Sequence, residues 1–185
     1  MDDHGVVTEP GTLRLERLLP GPIERVWAYL TESEKRGQWL ATGTMDLRAG
    51  GRVELRFRHA DLSPVKEPTP AKFKHKEGGA IVTGIVTRCE PPRLLALTWV
   101  HRAESEVTFE LTPKGDQVLL VVTHRRLADR DEMISVASGW HTHLGILVDR
   151  LAGRTARPFW SVFATHEGYY AERLATAPLA RSGSR

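Results

Sequence analysis

Residues 129–153 read DRDEMISVASGWHTHLGILVDRLAG, and the spacing of their apolar members decides the fold. Met133, Ala137, Trp140, Leu144, Leu147 and Leu151 follow one another at intervals of 4, 3, 4, 3 and 4. That repeat lays side chains along one stripe of an α-helix and predicts a helix of about twenty residues. Asp129, with Glu132 three positions on, caps its start. Gly153 closes its end, and Arg150 in the last turn suits the negative end of the helix dipole. An apolar stripe of this length has to be buried against a second layer.

The residues upstream supply that layer. Thr12–Leu19 reads as a strand through Leu13, Leu15, Leu18 and Leu19. Pro20-Gly21-Pro22 stops it and sets a proline at the start of a helix carrying Ile23, Val26, Trp27 and Leu30. Thr31-Glu32-Ser33-Glu34 fits a capping box for a second short helix ending near Gly37. After Trp39 the period switches to two. Met45 and Leu47 alternate as far as the Ala49-Gly50-Gly51 turn, and Val53, Leu55 and Phe57 alternate with Arg52, Glu54, Arg56 and Arg58. Four more strands follow: one holding Ile81, Ile85 and Cys89, then Leu94–His101, Glu104–Leu111, and Val118–Leu127 after the hairpin signal Pro113-Lys114-Gly115-Asp116. Turns this short pair successive strands antiparallel.

Two segments stand outside this frame. Residues 59–79, broken by Pro64, Pro68, Pro70 and Gly78-Gly79, read as a long loop of the kind that usually carries function. A last helix is expected from Pro158 to Ala175. The expected architecture is α+β: a curved antiparallel sheet of about six to seven strands wrapped on one long C-terminal helix, with an extra terminal helix. Such a wrap leaves an apolar space between sheet and helix, open at one end.

Composition narrows the function classes. The 185 residues suit one domain, and 26 Lys+Arg against 23 Asp+Glu leave a net charge of +3. The densest cationic cluster, Lys72, Lys74, His75 and Lys76, has Glu77 beside it. A phosphate-tracking surface needs many unopposed cations, so nucleic acid is not an expected partner. The single cysteine, Cys89, excludes an internal disulfide and a Cys-based zinc site. No apolar run approaches the roughly 18 residues of a membrane span. The N-terminal residues show no secretory signal, so the cytoplasm is the expected compartment.

Val26-Trp27, Trp39, Gly50-Gly51, Gly84, Pro91-Pro92, Leu94 with Trp99, His124, and Gly139-Trp140 followed by Leu144 and Leu147 form an ordered set. It resembles the Bet v 1-like (START-like, SRPBCC) superfamily, and within it the branch of Hsp90-ATPase-activator homologues. The resemblance covers residues 12–153 and implies the helix-grip fold. It also implies a cavity for a hydrophobic or amphipathic small molecule, and no cofactor common to all members. Residues 154–177 are then an appended helix, and 1–11 and 178–185 loose termini. The eukaryotic co-chaperones of this branch carry a further large domain ahead of the helix-grip domain, for which this chain has no room.

Three function classes follow. A binding module would use Trp99, Trp140, Leu144 and Leu147 as apolar walls and His124 and His143 to orient the ligand. His124 shares a strand face with Val118, Leu120 and Val122, and His101 shares one with Leu95, Leu97 and Trp99; alternation leaves open which face is concave. Each imidazole either serves a ligand or satisfies hydrogen bonds of the core. Arg56 and Arg58 are solvated if the apolar side of their strand packs on the helix; if the polar side lines the cavity, they suit a carboxylate.

An enzyme, of the cyclase, hydratase or hydrolase kind known in the superfamily, would use His124 or His143 with a shifted pKa. No serine stands in a G-x-S-x-G context, so no catalytic residue is assigned. His141 and His143, two apart, fall on different helix faces, and no metal is expected. An interaction protein of the co-chaperone kind would use the basic loop 66–76 and the aromatic last helix. That helix, with Phe159, Trp160, Phe163 and Tyr170, either packs on its own domain or forms a homodimer contact.

Overall fold

The computed structural model describes residues 4–100 and 104–174. His101 and the expectations for 1–3 and 175–185 lie outside the described residues. Seven strands form one antiparallel sheet: β1 (Val6–Glu9), β2 (Thr12–Pro20), β3 (Arg52–Phe57), β4 (Ala80–Glu90), β5 (Leu94–Val100), β6 (Glu104–Lys114) and β7 (Gln117–Arg125). Their order across the sheet is β1-β2-β7-β6-β5-β4-β3. Helices α1 (Ile23–Thr31) and α2 (Ser33–Arg36) join β2 to β3, and α3 (Arg130–Leu151) and α4 (Phe159–Arg173) close the chain. The sheet wraps on α3, which is the helix-grip arrangement.

Alternation decides which side faces α3. Leu13, Leu15 and Leu19 of β2, Val53 and Leu55 of β3, Leu95 and Leu97 of β5, Val107 and Phe109 of β6, and Leu120 and Val122 of β7 are all 3% exposed or less. Each such side chain withdrawn from water contributes about 1.5–3 kcal/mol. Arg56 and Arg58 lie on the solvent side. On β4 the inward residues are Val82 and Val86, while Ile81 and Ile85 stay outside. A bulge between Val86 and Arg88 bends β4, and the Gly50-Gly51 turn docks on it through Gly50 N–H to Val86 O and Val86 N–H to Gly51 O, both 2.8 Å. Gly84 is required where β4 crosses β5, because a Cβ there would strike the Thr98 carbonyl.

Helix α3 is terminated at both ends by its sequence. Asp129 Oδ1 accepts from Glu132 N–H at 2.7 Å, and Glu132 Oε2 accepts from Ala128 N–H at 2.6 Å. At the other end Gly153 takes φ +68°, Gly153 N–H reaches Arg150 O and Arg154 N–H reaches Asp149 O, a Schellman closure. The buried Asp149 carboxylate then pins the following turn through Arg154 and Arg157.

Three expectations of local structure need correction. Val6–Glu9, placed in a loose lead-in, is the seventh strand; Val6 and Val7 pair with Arg14 and Leu13, and Gly5 N–H donates to the buried Tyr170 hydroxyl at 2.6 Å. Met45 and Leu47 form no strand, only isolated bridges at Thr42–Arg56 and Met45–Val53. The capping box at Thr31 is not formed, because the Thr31 hydroxyl donates instead to Trp27 O at 2.9 Å. Arg36 does more for this corner: fully buried, its guanidinium donates to the carbonyls of Leu30, Thr31, Ala41 and Gly43.

Residues 58–79 are not a free loop but a strap holding two short 3₁₀ helices, His59–Asp61 and Ala71–Lys76. It is clasped to α4. The Ser63 hydroxyl donates to Ala156 O at 2.8 Å, Phe73 stacks on Trp160, and Lys72 pairs with Glu167. Glu67 Oε2 accepts from the N–H groups of Trp160 and Ser161, satisfying the first turn of α4 that Pro158 leaves uncapped. The aromatics of α4 therefore pack inside the chain: Phe159, Trp160, Phe163 and Tyr170 are between 0% and 7% exposed. Of the two expectations for these side chains, packing on their own domain is the one observed.

Candidate functional site

Sheet and α3 diverge at one end. The N-terminal half of α3 passes over the ends of β5 and β7 and encloses a cavity of about 130 Å³. Leu40, Phe57, Trp99, His124, Trp140 and His143 wall it, with Ser135, Val136 and Gly139 beside them. A wider vestibule of about 440 Å³ shares Trp99, His124, Ser135 and Val136, and is rimmed by Lys72, His75, Lys76, Asp131, Glu132 and Glu167.

Strand register builds the polar part. Trp99 lies opposite Ser105, and Val107 opposite His124, so Ser105 sits diagonally between the indole and the imidazole. Trp140 Nε1–H donates to His124 Nδ1 at 3.0 Å. An indole nitrogen only donates, so Nδ1 carries no proton and Nε2 does. His124 Nε2–H then donates to Ser105 Oγ at 2.8 Å, and the Ser105 hydroxyl donates to Trp99 O at 3.0 Å. Every member is satisfied, and Trp99 and Trp140 are fixed edge-to-face at 5.5 Å.

This wiring matters for catalysis. In a nucleophilic dyad the histidine accepts the serine proton and its other nitrogen donates to an orienting acid. Here both directions are reversed, so Ser105 is not activated. Burial lowers the His124 pKa to about 3 and keeps the ring neutral. His143 differs. Its Nδ1–H donates to Trp39 O at 2.7 Å, which leaves Nε2 as a lone-pair acceptor without a partner among the described residues. Burial lowers its pKa to about 4, against the Trp39 bond that raises it.

Of the six residues expected at the site, Trp99, His124, Trp140 and His143 converge on the cavity. Leu144 and Leu147 do not. They continue the same stripe, but lie one turn and two turns further on, where sheet and helix have closed and both are 0% exposed. His141 points the other way, as its spacing from His143 requires. It meets the Tyr170 hydroxyl at 3.0 Å and stacks on His166 at 3.7 Å. Sequence reading missed Leu40, Phe57, Ser135, Val136 and Gly139. A signal existed in Ser135, Gly139 and His143, which repeat at intervals of four beside the apolar stripe.

Gly139 is the most informative of these. A glycine inside a helix costs about 1 kcal/mol relative to alanine. No atom lies within 4 Å of the place a Cβ would occupy there. The room it leaves belongs to the cavity.

The family model described as Activator of Hsp90 ATPase homolog 1-like protein matches residues 20–152. A Bordetella parapertussis protein solved by NMR is 44% identical over 100% of this chain and 95% of its own, with a TM-score of 0.79. The crystal structure of CalU16 from Micromonospora echinospora is 23% identical over 87% of this chain and 86% of its own, with a TM-score of 0.66. A protein of Enterococcus faecalis is 22% identical over 94% of this chain and 91% of its own, with a TM-score of 0.63. No curated protein matches. Among the described residues no helix is long and apolar enough to cross a membrane.

Proposed function

This chain belongs to the family of Activator of Hsp90 ATPase homolog 1-like proteins, and from that premise we propose that it is a binding module for a compact apolar or amphipathic molecule. The apolar part of the ligand sits between Trp99, Trp140, Phe57 and Leu40, and its polar end reaches the charged rim of the vestibule. The observation that carries this reading is Gly139, a helix-weakening residue on the cavity wall at a place where a Cβ would meet no other atom. The neutral, fully bonded His124–Ser105 pair supports binding over catalysis.

Gly139→Leu tests it. The leucine enters open space and improves helix propensity, so the fold is expected to survive with an equal or higher Tm. Decanol is expected to raise the Tm of the natural protein and to lose that effect in the variant. A well-folded Gly139→Leu protein stabilised by decanol as strongly as the natural one removes the cavity from the function.

A further inference from the structure

A second chamber of about 120 Å³ lies outside the sheet–helix cavity, between the strap, α3 and α4. Phe73, Phe159, Trp160 and Phe163 wall it, and His59 and His143 border it. The walls present both faces and edges: Phe73 stacks on Trp160 at 5.1 Å and meets Phe163 edge-on at 5.4 Å, while Phe159 and Trp160 cross at 4.9 Å. Rings so arranged favour a flat aromatic guest. An apolar cavity of about 150 Å³ holds benzene, so this chamber suits one ring if Phe73, half-buried on the strap, yields slightly.

Two nitrogens in this chamber are unused. His59 Nδ1 is buried without a hydrogen-bond partner among the described residues, and its ring stacks on Phe159 at 4.2 Å. His143 Nε2 is a lone-pair acceptor, because Nδ1 gives its proton to Trp39 O. The two ring centroids are 5.6 Å apart, so both imidazoles border the same small space. Leaving the buried His59 Nδ1 without a partner is costly, and a ligand that satisfies it meets the His143 acceptor on the same wall.

We propose that this chamber is a second ligand site, which takes a neutral aromatic ring bearing a hydroxyl group held between His59 and His143. The hydroxyl O–H donates to His143 Nε2, and its oxygen accepts from His59 Nδ1–H. A carboxylate has no proton to give His143 and is refused. Both imidazoles stay neutral at pH 7, since burial lowers His59 to about 3 and His143 to about 4. Lys76 also borders the chamber, its Nζ 5.7 Å from the Phe73 ring centre, and would be the source of any opposite preference for an anion.

The site shares Ser135, Gly139 and His143 with the sheet–helix cavity, so it is tested in the protein with Gly139 intact, and it stands whether or not decanol binds there. Its test is titration of the full chain with phenol, toluene and benzoate, read by the ¹⁵N shifts of the imidazole nitrogens. Phenol is expected to move His59 and His143, to leave His124 in place, and to bind at least tenfold more tightly than toluene or benzoate. His59→Phe is expected to reduce phenol to the level of toluene, and His59→Gln, which still donates and accepts, to restore part of the difference. The inference is overturned if phenol fails to bind, shifts His124 instead of His59, binds no better than toluene, or is outdone by benzoate. Should His59→Phe fail to fold, the shifts in the natural protein decide alone. Decanol stabilisation without any phenol shift at His59 ends this proposal and leaves the sheet–helix cavity reading intact.

Discussion

From His141 to Leu151, α3 is buried on two sides. Leu144 and Leu147 meet the sheet, while Thr142, Ile146 and the Asp149 ion pairs are covered from the side of α4. From Asp131 to Trp140 the same apolar repeat continues, yet Asp131 and Ser135 are exposed, Val136 and Gly139 are half-buried, and the cavity opens beneath them. The two glycines of the helix mark the contrast. A Cβ at Gly139 meets nothing, whereas one at Gly145 would come within 3.2 Å of the Arg157 guanidinium that holds Asp149. One half is packed for stability and the other is kept incomplete. The lesson is that an amphipathic repeat reports that a helix is covered, not how tightly.

The contrast is broken most directly by deletion of buried volume. Leu147→Ala in the packed half is expected to cost about 2–5 kcal/mol in urea unfolding. Val136→Ala at the cavity wall is expected to cost only about 1 kcal/mol, having little packing to lose. Equal costs would mean that the two halves are packed alike.

Acid comes next. His124 and His143, both on the cavity wall, are lowered by burial to about 3 and about 4 in the fold, against about 6.5 when unfolded. Between those values the unfolded chain binds the extra protons, so their stabilisation is complete above pH 6.5 and is lost as the pH falls. Each is expected to remove about 1.4 kcal/mol per pH unit between pH 6.5 and 4. Unfolding curves of the natural protein and of His124→Phe, which removes one of the two groups, measure the difference in slope.

Ser105→Ala would leave His124 Nε2–H and Trp99 O without their bridge. The expected loss is about 1–3 kcal/mol by denaturant unfolding, the mark of a structural hydroxyl. The smallest effect is the sharpest. Gly139→Ala is expected to gain about 0.5–1 kcal/mol, while Gly145→Ala gains nothing or loses, because Arg157 would have to move. A gain at both positions would remove the distinction between the halves.

What was legible in the sequence follows the range of the interactions. The stripe of α3, its Asp129 cap, the Gly153 closure and six of the seven strands depend on neighbours a few residues apart, and local periodicity records such neighbours. The site was legible in part. Trp99, His124, Trp140 and His143 could be named because inward strand positions and one helix stripe must converge. Leu144 and Leu147 were misplaced because the point where the sheet parts from the helix is a property of sheet curvature, which alternation does not encode. Val6–Glu9 escaped because four residues are too few to show a period, and their pairing is set by β2. Arg36 drew no reading, since nothing local shows that four carbonyls converge on it. His59 reaches the site only through the strap.

That strap has a topological consequence. Phe57, the last residue of β3, is paired with Ala80, the first of β4, so the strap leaves and re-enters the sheet at one rung of the ladder. It is an insertion into a closed hairpin. Doubling the length of such an insertion adds only about 0.6 kcal/mol of closure entropy. Its composition and length are thus free to drift while the strand pairing stays as it is. What they must respect is the clasp on α4 and the contact of the buried Leu62 with Arg150 of α3. Relatives of this chain can therefore exchange the floor of the second chamber as a cassette and acquire a new guest without altering a residue of the sheet.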